Sequence, residues 1–471
     1  MMHSRRDQVE AHAFVTSRLR SALLRAEPDA PRPPLRRTPI ALVIGAMLGA
    51  VGISGVAVLG LLKPSGGSAW RKPGALIMEK ETGNRYVLSA GRLRPVLNYA
   101  SARLLLGDRI AVAPTSARSL AGVPRGGQVG IVGAPDTLPL PATAGDQPWL
   151  VCAGTRQDSD GVGQPEITVL LGAAARSQAG LRAEAALVRT PDNSVYLAEN
   201  GRRMRLTAPW VSRALGIEAS QPLPVRSAWT AALPAGPDLG TLPISDRGHT
   251  GPTLDGRATR VGQVLRVSSP GTADRHYLVT SGGLMPVGTA AVALALGDPA
   301  TAAAYDRDGA RVLPLSPTAL ASAPIADVPQ WAVELPPMPA TLSTDRSDHV
   351  PCVAVDTAGR VAKTAVVSLP ASIAGEAGAV DAPALRLDSL TADRVGVPPG
   401  GGMLARTLPA PGVAGDGLYL VVDSGAKYPV DGEAAVSALG YSAEAAAAVP
   451  AALLAMLPTG PELHLLDGGG A

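Results

Sequence analysis

The sequence predicts an α+β protein: a single-pass membrane anchor followed by an elongated external region of four strand–turn–strand–helix repeat modules around a split, disulfide-linked central β-rich domain. Three observations predict it. Residues 40–62 form a 23-residue apolar run without a charge. A pattern that opens on Tyr and closes on Gly 20 or 21 residues later occurs four times. Two sets of strand-like runs, each holding one of the chain's two cysteines, lie between the first and second and between the third and fourth copies.

The apolar run IALVIGAMLGAVGISGVAVLGLL is the anchor. At about 1.5 Å per residue it reaches roughly 35 Å, enough for a bilayer core of about 30 Å with some tilt. A cleaved signal peptide would need a 39-residue leading segment and a 23-residue apolar one, both outside the usual pattern. Arg32, Arg36 and Arg37 precede the run, in a stretch that also holds Arg5, Arg6, Arg18, Arg20 and Arg25, whereas Lys63, Arg71 and Lys72 follow it. The longer basic side places the N-terminus in the cytoplasm and residues 64–471 outside. Gly45 and Gly49 form a GxxxG pair that lets a second helix approach, the alternative being a merely glycine-rich span.

Before the anchor, SRRDQVEAHAFVTSRLRSALLRAEPD reads as one helix, with Ser4 as its cap and Pro28 beyond its end. Val9, Ala13, Leu19, Ala22 and Leu23 share a broad face, and Arg18 and Arg25 face elsewhere. Such a helix either lies on anionic lipid or docks on a partner's cytoplasmic domain; Val9, Leu19 and Leu23 are the docking residues in the second case.

The modules run YVLSAGRLRPVLNYASARLLLG from Tyr86, YLAENGRRMRLTAPWVSRALG from Tyr196, YLVTSGGLMPVGTAAVALALG from Tyr277 and YLVVDSGAKYPVDGEAAVSALG from Tyr419. Tyr-Val-Leu runs favour strands, and Gly91, Gly201, Gly282 and Gly425 supply the turns. Pro95-Val96, Pro286-Val287 and Pro429-Val430 occupy the return strand in three copies, and Arg205-Leu206 in the second. Asn98, Thr207, Thr289 and Asp431 are the expected helix caps, and Gly107, Gly216, Gly297 and Gly440 the left-handed closures. Copies two and four also share a tail, LPAGPDL from Leu233 and LPTGPEL from Leu457, each with its first Pro 18 residues after the closing Gly. About 21 residues bury little core alone, so the modules must dock on each other or on something central.

That centre is split between QPWLVCAG with PEITVLLG and VPCVAV with KTAVVSLP. Cys152 and Cys352 fall in mirrored positions on the oxidising side of the membrane, where they are expected to bond; two buried thiols are the alternative. The resulting map assigns 1–37 to the cytoplasmic helix and basic linker, 38–63 to the transmembrane helix and 64–140 to a linker and module 1. Residues 141–190 form the first part of the central domain, 191–245 module 2, 246–330 module 3, 331–400 the second central part, and 401–471 module 4 and the tail.

Composition excludes more than it assigns. The net charge of +3 over 471 residues gives no footprint for nucleic acid, and 3% aromatic content leaves the core to aliphatic side chains. No phosphate-binding GxxxxGK[ST] loop is present: the nearest string, GPTLDGRATR from Gly251, has Arg257 for the Lys and Ala258 for the metal-binding hydroxyl. His249, His276, His349 and His464 are scattered, without a metal-ligand spacing, and there is no Gly-x-Ser-x-Gly elbow. No catalytic, cofactor-binding or metal-binding residue is therefore assigned.

The string RDQVEAHAFVTSRLRSALLRAEPD, the single span, GNRYVLSAGRLRPVLNYASARLLLG and the ending LLAMLPTGPEL together resemble the EccB family of type VII (ESX) secretion systems, over essentially the whole chain. The resemblance implies a cytoplasmic helix, one transmembrane helix and four repeats around a disulfide-bearing centre. It implies the EccC motor ATPase, the EccD channel subunit, EccE and the mycosin protease as partners, in an assembly of like and unlike subunits at the cell membrane. It also brings two competing functions: the family is sometimes labelled an ATPase, which would make ATP a ligand, and its repeats have been likened to cell-wall-binding folds. An assembly subunit, a nucleotide hydrolase and a peptidoglycan binder are thus the three classes, and a chain without a nucleotide motif favours the first.

Overall fold

The computed structural model describes residues 5–25, 37–62, 68–140, 149–172, 185–305, 309–336, 342, 348–357, 361–375, 377–379, 385–410 and 412–467, with side chains of 5–23 and 41–54 in the first two helices. The chain divides into two compact units. One holds Met1–Lys72, Ile77–Asn84 and Ala113–Gly122; the other holds Pro73–Leu76, Arg85–Val112 and Val123–Ala471.

In the first unit, helix α1 spans Arg5–Arg25, ending short of Pro28; the expected cap Ser4 lies outside the described residues. Val9, Leu19 and Leu23 are all exposed on it. Helix α2 spans Arg37–Leu62. Its described side chains, 41–54, are exposed, Leu42, Ile44, Leu48 and Ile53 among them, and a Cβ added at Gly45 or Gly49 would meet nothing within 4 Å. Among the residues described to that level, no helix is long and apolar enough to cross a membrane.

The second unit contains three four-stranded sheets with one strand order. Module 2 uses Ala186–Arg189, Val195–Glu199, Arg202–Leu206 and Leu223–Pro224. Module 3 uses Val264–Val267, Arg275–Thr280, Gly283–Val287 and Val312–Pro314. Module 4 uses Met403–Leu408, Leu418–Val421, Lys427–Val430 and Ala447–Pro450. Each has an antiparallel lead strand and hairpin, and a strand after the helix that returns parallel to the lead strand: Leu223 opposite Val188, Val312 opposite Val264, Ala447 opposite Ala405. In module 1 the hairpin Arg85–Ser89/Arg92–Pro95 and the helix Tyr99–Leu106 occupy the matching chain positions.

The register makes the tyrosines equivalent. Tyr86 pairs with Pro95, Tyr196 with Arg205, Tyr277 with Pro286 and Tyr419 with Pro429. Arg205 therefore stands at the position that is Pro in the other three. The post-helix tail is also common to all four: the carbonyls of Pro124, Pro234, Pro324 and Pro458 accept from the backbone N–H of Leu93, Arg203, Leu284 and Lys427 at 2.8, 3.0, 2.7 and 2.9 Å. Proline suits this edge because it has no N–H to leave unpaired.

Local expectations needed correction at several points. Of the four expected caps only Asn98 acts by its side chain, accepting from Ser101 N at 2.9 Å. Pro209 and Gly288 take the N-cap positions of the helices Trp210–Ala214 and Thr289–Gly297, and Asp431 sits at the cap of Gly432–Leu439 without a side-chain bond. Thr207 instead donates to the tail carbonyl of Leu239 at 3.2 Å, and Thr289 is already helical. In the third turn the positive φ belongs to Gly283 (+128°), not Gly282. Gly107, Gly216 and Gly440 close their helices at φ +87°, +70° and +90°, but Gly297 does not.

Between the modules runs a six-stranded sheet ordered Lys363–Pro370, His349–Asp356, Trp149–Gln157, Gly163–Leu171, Arg394–Gly396 and Gly378–Ala379. Cys152 and Cys352 lie directly opposite on neighbouring strands and form a disulfide across 200 residues of sequence, with Cα atoms 4.0 Å apart.

A scaffold and its candidate assembly surfaces

Strand alternation gives the central sheet two different faces. Trp149, Val151, Ile167, Val169, Val353 and Val355 point to one side, where they share a core with Val188 and Trp229 of module 2 and Met403, Val421 and Leu453 of module 4. Leu150, Cys152, Leu170, Cys352, Val367 and Leu369 point to the other, toward Ala374 of the short helix Ala371–Gly375. The disulfide is wholly buried among them.

Two hairpin tips dock on this sheet, and each requires glycine. A Cβ at Gly201 would come 2.0 Å from the Thr364 carbonyl oxygen, and Thr364 Oγ1 donates to Gly201 O at 2.6 Å. A Cβ at Gly425 would come 2.8 Å from Val395 Cβ. Module 2 is further held by Arg226, which donates to Asp393 Oδ2 and Thr391 O at 2.9 Å and to Ser389 O at 2.8 Å. The same Asp393 oxygen accepts from Ile167 N at 2.8 Å, so one carboxylate ties a module to two strands of the centre. Glu199, beside the Gly201 tip, is pushed up by desolvation, and its Oε2 is buried with no partner among the described residues.

Modules pair through their helices. The core of module 2 continues into module 3 through Val211, Leu215, Ala290, Ala291 and Leu294, and that of module 4 into module 1 through Leu439, Val436, Ala100 and Leu104. In module 4 an inward lysine, Lys427, donates to the carbonyls of Leu454 and Leu457 at 2.5 and 3.0 Å at the end of the helix Ala451–Ala455. Desolvation pulls its pKa down to about 8, with Asp388 acting in the opposite sense.

The string from Gly251 that came nearest to a phosphate loop folds as the hairpin Thr250–Leu254/Arg257–Arg260, whereas a phosphate loop leads from a strand into a helix. An open cavity of about 460 Å³ in module 2, beside Asp192–Val195 and Thr207–Pro209, is lined by polar and apolar groups, with Asp192 and Glu218 as its carboxylates and Arg205 as its one cation. Among the described residues no group of three His, Cys, Asp or Glu side chains could hold a metal ion. The exposed Val9, Leu19 and Leu23, and the glycine pair Gly45 and Gly49, lie on separate helices and form no common site.

The model of the type VII secretion system ESX-1 transport TM domain B matches residues 1–467. The chain belongs to the EccB family. A relative from Mycolicibacterium smegmatis, the ESX-3 secretion system ATPase EccB3, is 29% identical over 98% of this chain and 89% of its own. A chain of an intact ESX-5 inner membrane complex superposes with a TM-score of 0.66 at 25% identity, covering 99% of this chain and 95% of that one. The EccB3 dimer of an ESX-3 core complex gives 0.66 at 25% identity, over 84% and 98%. EccB proteins are core membrane components of ESX secretion complexes. Arg226, Asp393 and Lys427 were not singled out by sequence; the one available signal was a Lys, a residue used five times, in the otherwise apolar strand AKYPV.

Proposed function

We propose that this protein is the membrane-anchored structural subunit of a type VII secretion core complex, holding motor and channel subunits in register. The family match over residues 1–467 carries the reading. In it, α2 is the single membrane span, residues 1–37 are cytoplasmic and 64–471 external, and Gly45 and Gly49 form a packing face for another subunit's helix. The four hairpin–helix modules are copies of one unit, with the domain boundaries derived above. Val9, Leu19 and Leu23 on α1 dock on a cytoplasmic partner, with EccC, EccD, EccE and a mycosin protease as the assembly's other members. Burying an unpaired carboxylate disrupts a small interface. Leu19→Asp/Leu23→Asp should therefore insert normally but lose co-purifying motor and channel subunits; a double variant that assembles and secretes like wild type would remove the docking role. Protease added to intact protoplasts should digest the external region and spare residues 1–37, and the reverse pattern would invert the topology.

The ATPase reading draws on the name of the relative alone. Calorimetric titration of the full chain with Mg-ATP decides it: no heat of binding is expected.

A further inference from the structure

We propose that the outer face of the module 1 hairpin is a contact surface for the anionic phospholipid headgroups of the membrane. The proposal rests on the anchor reading above, which makes module 1 the first folded part beyond the bilayer. The twelve residues between Leu62 and Ala75 reach at most about 45 Å when fully extended, which sets an upper limit on the tether.

Charge is partitioned along the chain in a way its total of +3 conceals. Residues 85–136 carry seven arginines against two aspartates, a net +5, while residues 137–471 carry 23 basic against 31 acidic side chains, a net −8. The tethered module is thus cationic and the distal chain anionic, which suits an anionic surface on one side only.

The hairpin shows where that charge is presented. Arg92 and Arg94, two residues apart, leave one face of their strand while Leu93 is wholly buried on the other. Both lie over bare backbone: a Cβ at Gly126 would sit 2.9 Å from Arg94 Cγ and 3.6 Å from Arg92 Cβ. Arg94 Nε donates to Gly127 O at 3.2 Å, which fixes the stem of this half-buried side chain. Arg125, on the adjoining tail, stacks over Tyr86 at 5.2 Å and donates to its hydroxyl at 3.0 Å. Of the hairpin arginines only Arg85 has an ion-pair partner among the described residues, Asp136.

Module 2 is an internal control. Arg202 holds the position of Arg92, but its cross-strand neighbour is Glu199 where Arg92 has Ser89. It also pairs with Glu334 at 3.4 Å and donates to Ala235 O at 3.1 Å. One copy satisfies this arginine internally; the other presents it to an anion from outside. Guanidinium matches phosphate oxygens in bidentate geometry, and each arginine at an anionic leaflet raises partitioning roughly fivefold.

The test uses the full chain in nanodiscs of phosphatidylcholine alone or of an equimolar mixture with phosphatidylglycerol. A fluorophore on Ser89→Cys reports approach to lipids carrying a headgroup quencher, since both native cysteines are bonded to each other. A second reporter at Glu444→Cys in module 4 serves as the distal control. Quenching at Ser89 is expected in the anionic discs only, to be lost in high salt, and to fall on the order of 25-fold in apparent contact affinity in Arg92→Gln/Arg94→Gln. Equal quenching in both discs, or unchanged quenching in the folded double variant, overturns the proposal while leaving the anchor intact. Loss of co-purifying secretion subunits with unchanged quenching also overturns it, because the occupant is then a protein. Failure of the chain to enter either disc removes the anchor reading and this proposal with it.

Discussion

The two module-to-module joints solve one packing problem in opposite ways, and the difference turns on their closing glycines. Between modules 2 and 3, Gly297 stays helical and is needed for space: a Cβ there would lie 2.5 Å from Ala214 Cβ, beside the Trp210 ring. Between modules 1 and 4, Gly440 is needed for conformation, at φ +90°, and for room beside a cation. Arg103 Nη2 crosses that joint and donates to Leu439 O at 3.0 Å, where a Cβ on Gly440 would meet it at 1.9 Å. One joint is an apolar contact in which Gly297 packs against Ala214 and Trp210; the other is a helix end capped from outside by an arginine. A glycine at the helix end of either sheet therefore does different physical work.

Perturbations should separate these cases. The largest effect is expected at the sheet between the two joints: Cys152→Ala/Cys352→Ala should lower stability by about 2–5 kcal/mol, since a long loop is released. Denaturant titration with and without reductant measures it, and hydrogen exchange should show neither joint preferentially exposed. Gly297→Val overpacks the apolar joint and should cost about 1–3 kcal/mol, with faster exchange confined to modules 2 and 3. Arg103→Met leaves the Leu439 carbonyl without its charged donor and should cost about 1.5 kcal/mol, with faster exchange confined to modules 1 and 4. If both variants loosen both joints, the division between them is wrong.

The smallest effect is a pH dependence within module 4. Lys427 has a folded pKa of about 8 against 10.5 for an ordinary lysine, so between those values the unfolded chain binds the extra proton and stability rises with pH. The gain is about 1 kcal/mol from pH 8 to 9, and Lys427→Met should abolish it. Above pH 10 the sign reverses, because burial raises the pKa of Tyr305, Tyr428 and Tyr441 and the unfolded tyrosines ionise first. A thermal-stability profile that falls monotonically from pH 8 would discard the lysine assignment.

What could be read from the sequence were features set by local periodicity and chain spacing. The tyrosine strands, the turns at Gly91, Gly201 and Gly425 and the cysteine-bearing strands are of that kind. Caps were harder, because Thr207 could satisfy either a helix end or a tail strand, and only the fold puts the Leu239 carbonyl within its reach. The tails of modules 1 and 3 are hard to read because VPRGGQV shares only one Pro and one Gly with LPAGPDL, and APIADVP only the Pro. Strands as short as Gly378–Ala379 and Arg394–Gly396 carry too few residues to show alternation. Arg226 is 167 residues from Asp393, and Arg103 is 336 from Leu439; no local pattern encodes such meetings.

The Cys152–Cys352 bond also determines how tension would travel. Everything from 153 to 351, modules 2 and 3 included, hangs in a covalent ring closed at the central sheet, while module 1 precedes the ring and module 4 follows it. A pull between the chain before Cys152 and module 4 would pass from Cys152 straight to Cys352. The ring would bear none of the stretch through its own backbone, and a single cut anywhere in it would leave both ends of the protein joined.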